Sequence, residues 1–595
     1  MNVKLNLIFL LMLAAVFFNI IGIGNALNYV SEENNQIIDQ EASNVVYTEK
    51  TVKEKPVKVV PPQGKIERAL GDRIQSMGKS DKVRVAIWIR SDIIQGIRRP
   101  EILTDGDLQA LTHDRLQKTL DMQLGQIKKN VSVKQKPVRD YLRSKSINPL
   151  YESSLAPVIF AEISKDDIHE LEARNDVAAL YLGREYKPLM DTSVSTVLAP
   201  PVWSYVQNGT KVAVIEAGGI AFDNPYLKDG IYYNASNPNI GFHPTAVAGI
   251  IASTHTTYKG IAYKGPALLS GNANSWWDSD LMAATDWAVA NGARVLSNSW
   301  GADNGGVLSP LAYYYDWLVY NYGVTVVFAA GNDASARVYD PAVAYNVIAV
   351  GSFSDSNSGW NWWDDNMSSF SSYLDPPSTD REEPDVAAPG EDIISTTTAP
   401  PWTGNVGSGT SYAVPHVSGL ASLLINKTPA LAVWPEAVRA IIMASADHNI
   451  EGSSRLSDKD GAGGINALEA YKIASTATKW GGIELAYNDG APWYSQNITA
   501  SMGQRIRVVV AWDSNSTGYG GSDALNADMD LSIERLSGTT WVPEFRAGSS
   551  QSLDNNYEIL DFNVPLSGKY RAKVVKFSWA DTSYIEHLGY AVYIK

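Results

Sequence analysis

The chain has 595 residues, of which 45% are hydrophobic, 10% aromatic and 19% charged, and this composition excludes a fibrous or wholly disordered protein. The length predicts three or four domains, and the absence of cysteine excludes disulfides and thiol chemistry. Residues 1–190 hold 27 Lys and Arg against 24 Asp and Glu, whereas residues 191–595 hold 22 against 40, so the larger, acidic part is not expected to bind nucleic acid.

The N-terminus has the pattern of a secretory signal peptide. Residues 1–26 join a basic residue, Lys4, to a long apolar run and to small residues at Gly24 and Ala26. We therefore predict a protein that is secreted or held at the cell surface. Because the apolar run is long, an uncleaved N-terminal membrane anchor is the alternative. The polar residues that follow, with Lys-Pro and Pro-Pro pairs, predict a flexible spacer over 27–70.

Residues 71–190 predict a small α+β domain. The segment KVRVAIWIR (82–90) alternates as a strand does, and residues 105–145 have the length and Leu spacing of one or two helices. Ser164, followed three residues later by Asp167, predicts the capped start of a further helix.

Residues 191–478 alternate short apolar strands with helical stretches. This pattern predicts an α/β fold, a doubly wound parallel sheet with helices on both faces. Functional sites in such folds lie at the carboxyl ends of the strands. Glu216, Asn298 and Asn332 each end a predicted strand, so we expect them to lie at that edge of the sheet.

Residues 479–595 contain alternating strands punctuated by Gly, Asn and Ser, without a helical pattern, and they predict an all-β sandwich. Asp523, Asp528 and Asp530 are candidate ligands for a structural calcium ion, and an ordinary solvated acidic loop is the alternative interpretation. No catalytic cofactor is predicted.

A candidate nucleophile lies in GSGTSYAVPHVSG (407–419). Small residues followed by Ser411 and a helical run place its hydroxyl at a helix N-terminus, where free backbone N–H groups favour developing negative charge. An ordinary N-cap is the alternative. A serine nucleophile needs a base, normally histidine. His416 lies about 140° round the helix from Ser411 and so faces elsewhere, and His255 lies in a polar turn. His243 begins a predicted helix and would project toward the strand ends.

These segments carry a resemblance to the subtilisin-like proteases, or subtilases. The segment GTSYAVPHVSG is similar to their GTSMAxPHVAG motif, HPTAVAG (243–249) to their HGTHVAG, and KVAVIEAGG (211–219) to their VAVIDTG. Further segments agree in the same order and extend the resemblance over about 195–475: SNSWG (297–301), VFAAGND (327–333), EPDVAAPGEDIIST (383–396) and GAGGINALEA (461–470). The resemblance implies a serine endopeptidase that acts on proteins and peptides.

The resemblance also assigns roles to residues. It implies that Ser411 is the nucleophile, His243 the general base, Glu216 the acid that orients it, and Asn332 an oxyanion donor. Glu216 departs from the family, which has Asp there: the carboxylate is kept, but one more methylene adds about 1.5 Å of reach. Pro244 and Ala246 replace the Gly and the second His of the family motif.

Two further likenesses concern how the enzyme is made and how it binds substrate. Ser299, Trp300 and Gly301 match the family's edge segment, to which an extended substrate adds as a strand. Residues 156–182 resemble the inhibitory propeptide, which implies an autoprocessed zymogen that is cut within 183–195, with its own propeptide as intramolecular inhibitor.

Charge and the C-terminal strands add to this interpretation. The excess of basic residues over 49–145, 22 against 12 acidic ones, fits docking on the acidic remainder, a solvated charged face being the alternative. Residues 525–533 and 566–575 are similar to jelly-roll domains appended to some subtilases. The competing hypothesis for function is a subtilase homologue with an impaired triad, acting as an exported binding or adhesion protein through its β-sandwich.

Overall fold

The computed structural model describes residues 65–78, 81–90, 113–183, 187–188, 193–206, 210–263, 265, 267–356, 362–377, 379, 381–451, 457–490, 492–514 and 525–595. The predicted signal peptide, nearly all of the predicted spacer and Asp523 lie outside these residues. Across the described ranges, no helix combines the length and the apolar character that crossing a membrane requires.

The first part of the described chain is an antiparallel sheet packed against helices. Its strands follow the order β2-β3-β1-β4. Ser164 caps the third helix by accepting the N–H of Asp167, as the sequence predicts. The elements are α1 Arg68–Ser76, β1 Lys82–Ile89, α2 His113–Ser144, β2 Pro149–Glu152, β3 Val158–Ser164, α3 Lys165–Glu172 and β4 Val177–Leu182.

An eight-stranded sheet forms the centre of the molecule, in the order β7-β8-β6-β9-β11-β12-β13, with β14 also paired to β12. All of its pairs are parallel except β12 with β13. Two ribbons, β5 with β10 and β15 with β16, lie beside it. The strands are β5 Lys187–Pro188, β6 Val212–Glu216, β7 Ile231–Tyr232, β8 Leu268–Asn272, β9 Val295–Asn298, β10 Trp300–Gly301, β11 Thr325–Ala329, β12 Ile348–Ser354, β13 Asn366–Met367, β14 Val386–Pro389, β15 Ile393–Thr396 and β16 Thr403–Gly407.

Helices cover this sheet, and one of them requires glycine. Gly249 lies where a helix crosses β15, and a Cβ there would stand 2.2 Å from Oγ1 of Thr396, so only glycine allows this packing. The same helix contains His243. The helices are α4 Phe242–Ala252, α5 Asp278–Ala290, α6 Pro310–Tyr322, α7 Thr410–Lys427, α8 Pro435–Ser445 and α9 Ala467–Ala474, with short 3₁₀ turns at Pro200–Ser204, Trp362–Asp364, Pro429–Val433 and Ala477–Lys479.

The C-terminal part is a sandwich of two antiparallel sheets, β17-β26-β20-β24 and β18-β25-β21-β22, with β19 on β25 and β23 on β21. Alternate residues of its strands fill a shared core, among them Val508 and Leu588. The elements are β17 Trp480–Ala486, β18 Trp493–Tyr494, β19 Ile498–Ala500, β20 Arg505–Trp512, β21 Ala527–Ser537, β22 Thr540–Pro543, the 3₁₀ turn Phe545–Ala547, β23 Ser549–Ser550, β24 Tyr557–Asn563, β25 Gly568–Trp579 and β26 Ile585–Ile594.

The sandwich is joined to the α/β part through α8. The guanidinium of Arg507, on β20, donates to the carbonyls of Met443 and Ala446 at the C-terminal end of that helix and to the carbonyl of Ala462 in a later loop. A cation at this end also interacts favourably with the helix dipole. Arg507 of the sandwich therefore supplies the hydrogen-bond donor for backbone carbonyls of the α/β part.

Candidate active site

Glu216 and His243 form a buried pair at the carboxyl end of the central sheet. Glu216 ends β6, the strand between β8 and β9, and His243 lies in the first turn of α4. Oε2 of Glu216 is 2.6 Å from Nδ1 of His243, and the two side chains are 0% and 10% exposed. Burial raises the pKa of the Glu216 carboxyl, although the nearby imidazole lowers it. The extra methylene of Glu thus does not prevent contact with the histidine.

Ser411 lies at the start of α7, as predicted, but it is not the N-cap. Gly409 occupies that position, and Ser411 is the second residue of the helix. The ring of Tyr412, the next residue, lies 5.4 Å from the ring of His243 between centroids. Oγ of Ser411 donates a hydrogen bond to the carbonyl of Ser299 at 2.9 Å. The hydroxyl therefore lies at a helix N-terminus and points to the segment 299–301, while the next residue, Tyr412, contacts His243.

Asn332 is held beside the same helix start. Its Oδ1 accepts from the backbone N–H of Thr410 at 2.7 Å and from Oγ1 of Thr410 at 2.9 Å. This contact fixes the orientation of the amide and leaves Nδ2 as its donor group. Asn298, the other strand-end Asn, is fully buried and donates to the carbonyl of Val327 within the sheet, so it has a structural position.

The segment Ser299–Gly301 offers its backbone rather than its side chains. Oγ of Ser299 donates to the carbonyl of Ser411 at 2.6 Å. Trp300 is fully buried and donates from Nε1 to the carbonyl of Ile215 at 2.7 Å. The backbone of Trp300 and Gly301 pairs in antiparallel fashion with residues 187 and 188 of the chain itself. An extended segment thus lies on the edge where the sequence predicts that substrate binds.

Asp286, which sequence reasoning missed, is a carboxylate that joins the N-terminal α+β unit to helix α5. Asp286 is buried and accepts hydrogen bonds from the hydroxyls of Tyr151 and Ser153 and, at 2.9 Å, from the backbone N–H of Ser154. Tyr314 of α6 also donates to it. Burial raises the pKa of this carboxyl, and its donors oppose that shift. The sequence signal that could have pointed to Asp286 is its position as the single charged residue in the apolar run LMAATDWAVA (281–290).

Asp528 and Asp530 lie on β21 near Glu558 of β24, a residue that sequence reasoning did not select. Oδ1 of Asp528 and Oε2 of Glu558 are buried and have no hydrogen-bond partner among the described residues. Burial is the main cause that raises the pKa of Asp528 to about 6 and that of Glu558 to about 8, and neighbouring carboxylates add to it. Buried carboxylate oxygens without partners suit a hard cation such as calcium, but the three residues are not among the described groups whose ligand atoms all lie within 4.8 Å of one another.

The other two histidines considered have structural surroundings. His416 is fully buried: Nδ1 lies 2.7 Å from the carbonyl of Tyr412, and Nε2 accepts the backbone N–H of Ser193. Burial lowers the pKa of His416 to about 4. His255 accepts the N–H groups of Thr257 and Tyr258 in a turn. Asp223, another carboxylate near β6, is exposed.

Comparison with known proteins agrees with this geometry. The Peptidase_S8 (subtilase family) profile matches residues 207–463. Thermitase of Thermoactinomyces vulgaris is 32% identical over 307 residues, which are 49% of this chain and 97% of thermitase. A thermophilic serine proteinase of Bacillus sp. (strain AK1) is 35% identical over 233 residues, 37% of this chain and 53% of that protein, so the match spans about half of that relative.

Among solved structures, the chain is similar to fervidolysin from Fervidobacterium pennivorans, a keratinolytic enzyme related to subtilisin. The alignment covers 88% of this chain and 74% of fervidolysin at 16% identity, and the TM-score is 0.49. The near-complete coverage of thermitase defines the class of the α/β part. The chain belongs to the subtilase family, and it shares the α/β fold and the serine-endopeptidase class of that family.

Proposed function

We propose that this protein is an exported endopeptidase made as a zymogen, which hydrolyses peptide bonds through an acyl-enzyme on Ser411 and first cuts its own chain. The observation that carries the proposal is the antiparallel pairing of residues 187–188 with Trp300–Gly301. Such pairing delivers a peptide to the nucleophile by main-chain hydrogen bonds. Residues 187–188 follow a few positions after β4, the last strand of the α+β unit, as they would in an uncut propeptide.

In the proposed chemistry, Ser411 Oγ attacks the scissile carbonyl and passes its proton to His243. The C–N bond then breaks, the histidine gives the proton to the leaving amine, and water hydrolyses the ester by the same route. Glu216 fixes the imidazole through Nδ1 and stabilises the imidazolium. Nδ2 of Asn332 and backbone N–H groups at the start of α7 stabilise the oxyanion.

The hydrogen bond from Ser411 to the carbonyl of Ser299 gives the edge segment a part in this cycle. That carbonyl continues the row of backbone groups that pair with an extended peptide. A substrate N–H that bonds to it competes with the serine hydroxyl for the same acceptor. A substrate N–H at the Ser299 carbonyl would thereby free Oγ to turn to His243; among the described residues, 187 and 188 pair only with Trp300 and Gly301, and the hydroxyl keeps its bond to Ser299.

The α+β unit acts in this proposal as propeptide and intramolecular inhibitor. It contacts the α/β part through Asp286, and Tyr322 donates a further hydrogen bond to the carbonyl of Leu155 at 2.5 Å. Arg84 lies over the ring of Trp277 at 4.6 Å and donates to Ser279. These contacts hold the segment after β4 in place, so that residues 187–188 pair with Trp300 and Gly301. Cleavage within 183–195 would leave the unit bound non-covalently until it is degraded.

A structural calcium ion completes the proposal for the sandwich. Asp528, Asp530 and Glu558 would hold it, since two of their buried oxygens have no partner among the described residues. The ion would stabilise the sandwich by compensating these carboxylates and would take no part in the reaction.

Expression of residues 27–595 beside a Ser411→Ala variant tests the proposal. The mass of each product and its hydrolysis of casein are measured with calcium present. We expect the unmodified chain to lose the α+β unit and hydrolyse casein, with a new N-terminus inside 183–195. The Ser411→Ala variant should do neither.

A Ser418→Ala variant is the matched control, because Ser418 is a buried serine of the same helix whose hydroxyl has no hydrogen-bond partner among the described residues. It should mature as the unmodified chain does. If the folded, unmodified chain neither shortens nor hydrolyses casein, the proposal is refuted and the binding-protein hypothesis stands.

A further inference from the structure

Three side chains that commonly ligate metals converge between the α/β part and the sandwich. Glu436 lies in the first turn of α8, Asp513 directly follows β20, and His587 lies on β26. One ligand atom from each lies within 4.8 Å of the other two. The three residues are 4%, 0% and 7% exposed. They come from segments up to 151 positions apart in the chain, so the fold alone brings them together.

The geometry of this cluster is fixed by its surroundings. Asp513 contacts His587 twice: Oδ1 accepts its backbone N–H at 2.9 Å, and Oδ2 lies 2.8 Å from Nδ1. The ring of Tyr320 lies 5.0 Å from that of His587 and the ring of Trp434 lies 6.3 Å from it. These two aromatic rings pack against the imidazole and limit its orientation. The donor atoms are thus positioned by the protein, as a metal site requires.

The backbone also brings the two domains close at this point. Gly589 lies two residues after His587, and a Cβ at that position would stand 2.2 Å from the backbone nitrogen of Ala437, the residue after Glu436. Only glycine permits β26 to approach the start of α8 this closely. The close contact places the carboxylate of one domain beside the imidazole of the other.

Negative charge accumulates around the cluster. Besides Glu436 and Asp513, Oε1 of Glu484 lies 3.9 Å from Nε2 of His587. Burial, together with the nearby Asp513, raises the pKa of Glu586, the fully buried residue before His587, and its Oε2 has no hydrogen-bond partner in the described part of the chain. Burying several carboxylates together is costly unless a cation balances them.

We propose that Glu436, Asp513 and His587 bind a divalent transition metal ion, zinc foremost, that links the protease part to the sandwich. One imidazole nitrogen and two carboxylate oxygens suit zinc, which takes His and Asp or Glu ligands in a tetrahedral arrangement. Calcium instead takes six to eight oxygen ligands, and an imidazole is a poor substitute for them. In a chain without cysteine, the ion would do for the domain junction what a disulfide does elsewhere.

Zinc binding is testable without any protease activity. The full chain is purified in its Ser411→Ala form, which cannot cut itself, and is freed of metal with a chelator. It is then dialysed against zinc chloride and afterwards against buffer. The metals that it retains are measured by mass spectrometry. We expect one zinc ion per chain and a higher unfolding temperature than in the metal-free form. No retained zinc, or retained calcium alone, would overturn the proposal.

Variants then locate the ion. In the same background, Glu436→Gln and His587→Gln should each weaken zinc binding by more than about 100-fold, which exceeds the 10–100-fold typical of outer-shell changes. His448→Gln is the matched control, because His448 is a buried histidine paired with Asp365 outside the cluster, and it should retain zinc. If His587→Gln fails to fold by circular dichroism, Glu436→Gln decides; unchanged zinc binding in a folded cluster variant would refute the assignment.

Discussion

Replacing Glu216 by Gln should abolish most catalysis while keeping the fold. The change preserves the size of the side chain but turns the group that faces Nδ1 of His243 from a carboxylate into an amide. An amide cannot stabilise the imidazolium that forms when Ser411 loses its proton, and it can present a donor to Nδ1 and thus select the wrong tautomer. The fold should tolerate the change, because burial already raises the pKa of the carboxyl and so favours its neutral form.

The magnitude follows from the geometry of the pair. The two atoms are 2.6 Å apart, and Glu216 is fully buried. The carboxylate-to-amide change in a Ser-His-Asp triad lowers kcat by about 10⁴-fold because it selects the wrong tautomer of the histidine. At 1.36 kcal/mol for each factor of ten, a loss of this size corresponds to about 5 kcal/mol of transition-state stabilisation, and we expect it for Glu216→Gln. Glu216→Asp withdraws the carboxylate by about 1.5 Å if nothing else moves, which breaks the hydrogen bond, so we expect a loss on the order of 10²-fold.

Self-cleavage of the purified precursor provides the assay, because an intramolecular reaction reports the chemical step without a substrate-binding step. Its first-order rate is followed by mass, and unfolding temperature is measured in parallel. Asp223→Asn is the control, since Asp223 is exposed in a turn near β6 and should mature normally. A Glu216→Gln rate within about threefold of the unmodified rate would refute the role of Glu216, because a threefold change corresponds to only about 0.6 kcal/mol. An equal loss in Asp223→Asn would refute it as well.

Three further predictions follow from the site and its surroundings. Asn332→Ala should lower kcat about 10²–10³-fold with little change in KM, a magnitude known from subtilisin, and a large rise in KM alone would contradict it. Asp286→Asn should slow maturation and weaken binding of the separately added α+β unit, while hydrolysis by the mature enzyme is unchanged; equal loss of both would contradict the docking role. His416 is neutral when folded, with its pKa lowered to about 4, so stability should fall as pH drops from 6.5 toward 4, by at most about 3 kcal/mol. In the Ser411→Ala background, a His416→Gln variant should lose this part of the pH dependence in denaturant titrations.

Much of the fold could be predicted because the chain's local patterns agree with its tertiary structure. The apolar run before Glu216 is the fully buried strand β6, and Ser164 with Asp167 begins α3 as a capped helix does. The helix that begins near His243 is visible from Pro244 and the apolar residues that follow it. In each case the residues that determine the strand or helix lie within a few positions of one another, so the local sequence is enough to predict the element.

The parts that could not be predicted depend on contacts between distant segments. The hydroxyl of Ser411 donates to the carbonyl of Ser299, which is 112 residues away, and the motif SNSWG that contains Ser299 does not predict this contact. Asp286 accepts from residues 132–135 positions earlier. Periodicity and capping rules describe neighbours along one element, and they contain no information about which elements meet.

The environment of Glu216 argues that this residue is kept for function rather than for stability. Its Oε1 is buried and has no hydrogen-bond partner among the described residues, which costs about 1–3 kcal/mol for an unsatisfied polar atom. A purely structural acid at the end of a buried strand would satisfy both oxygens or be replaced by an apolar residue. The one hydrogen bond that its carboxylate makes among the described residues, with Nδ1 of His243, is the one that a serine protease needs. Local strain of this kind is expected where catalysis sets the requirement, and it explains why a longer acid than the family's Asp can serve as long as that contact is kept.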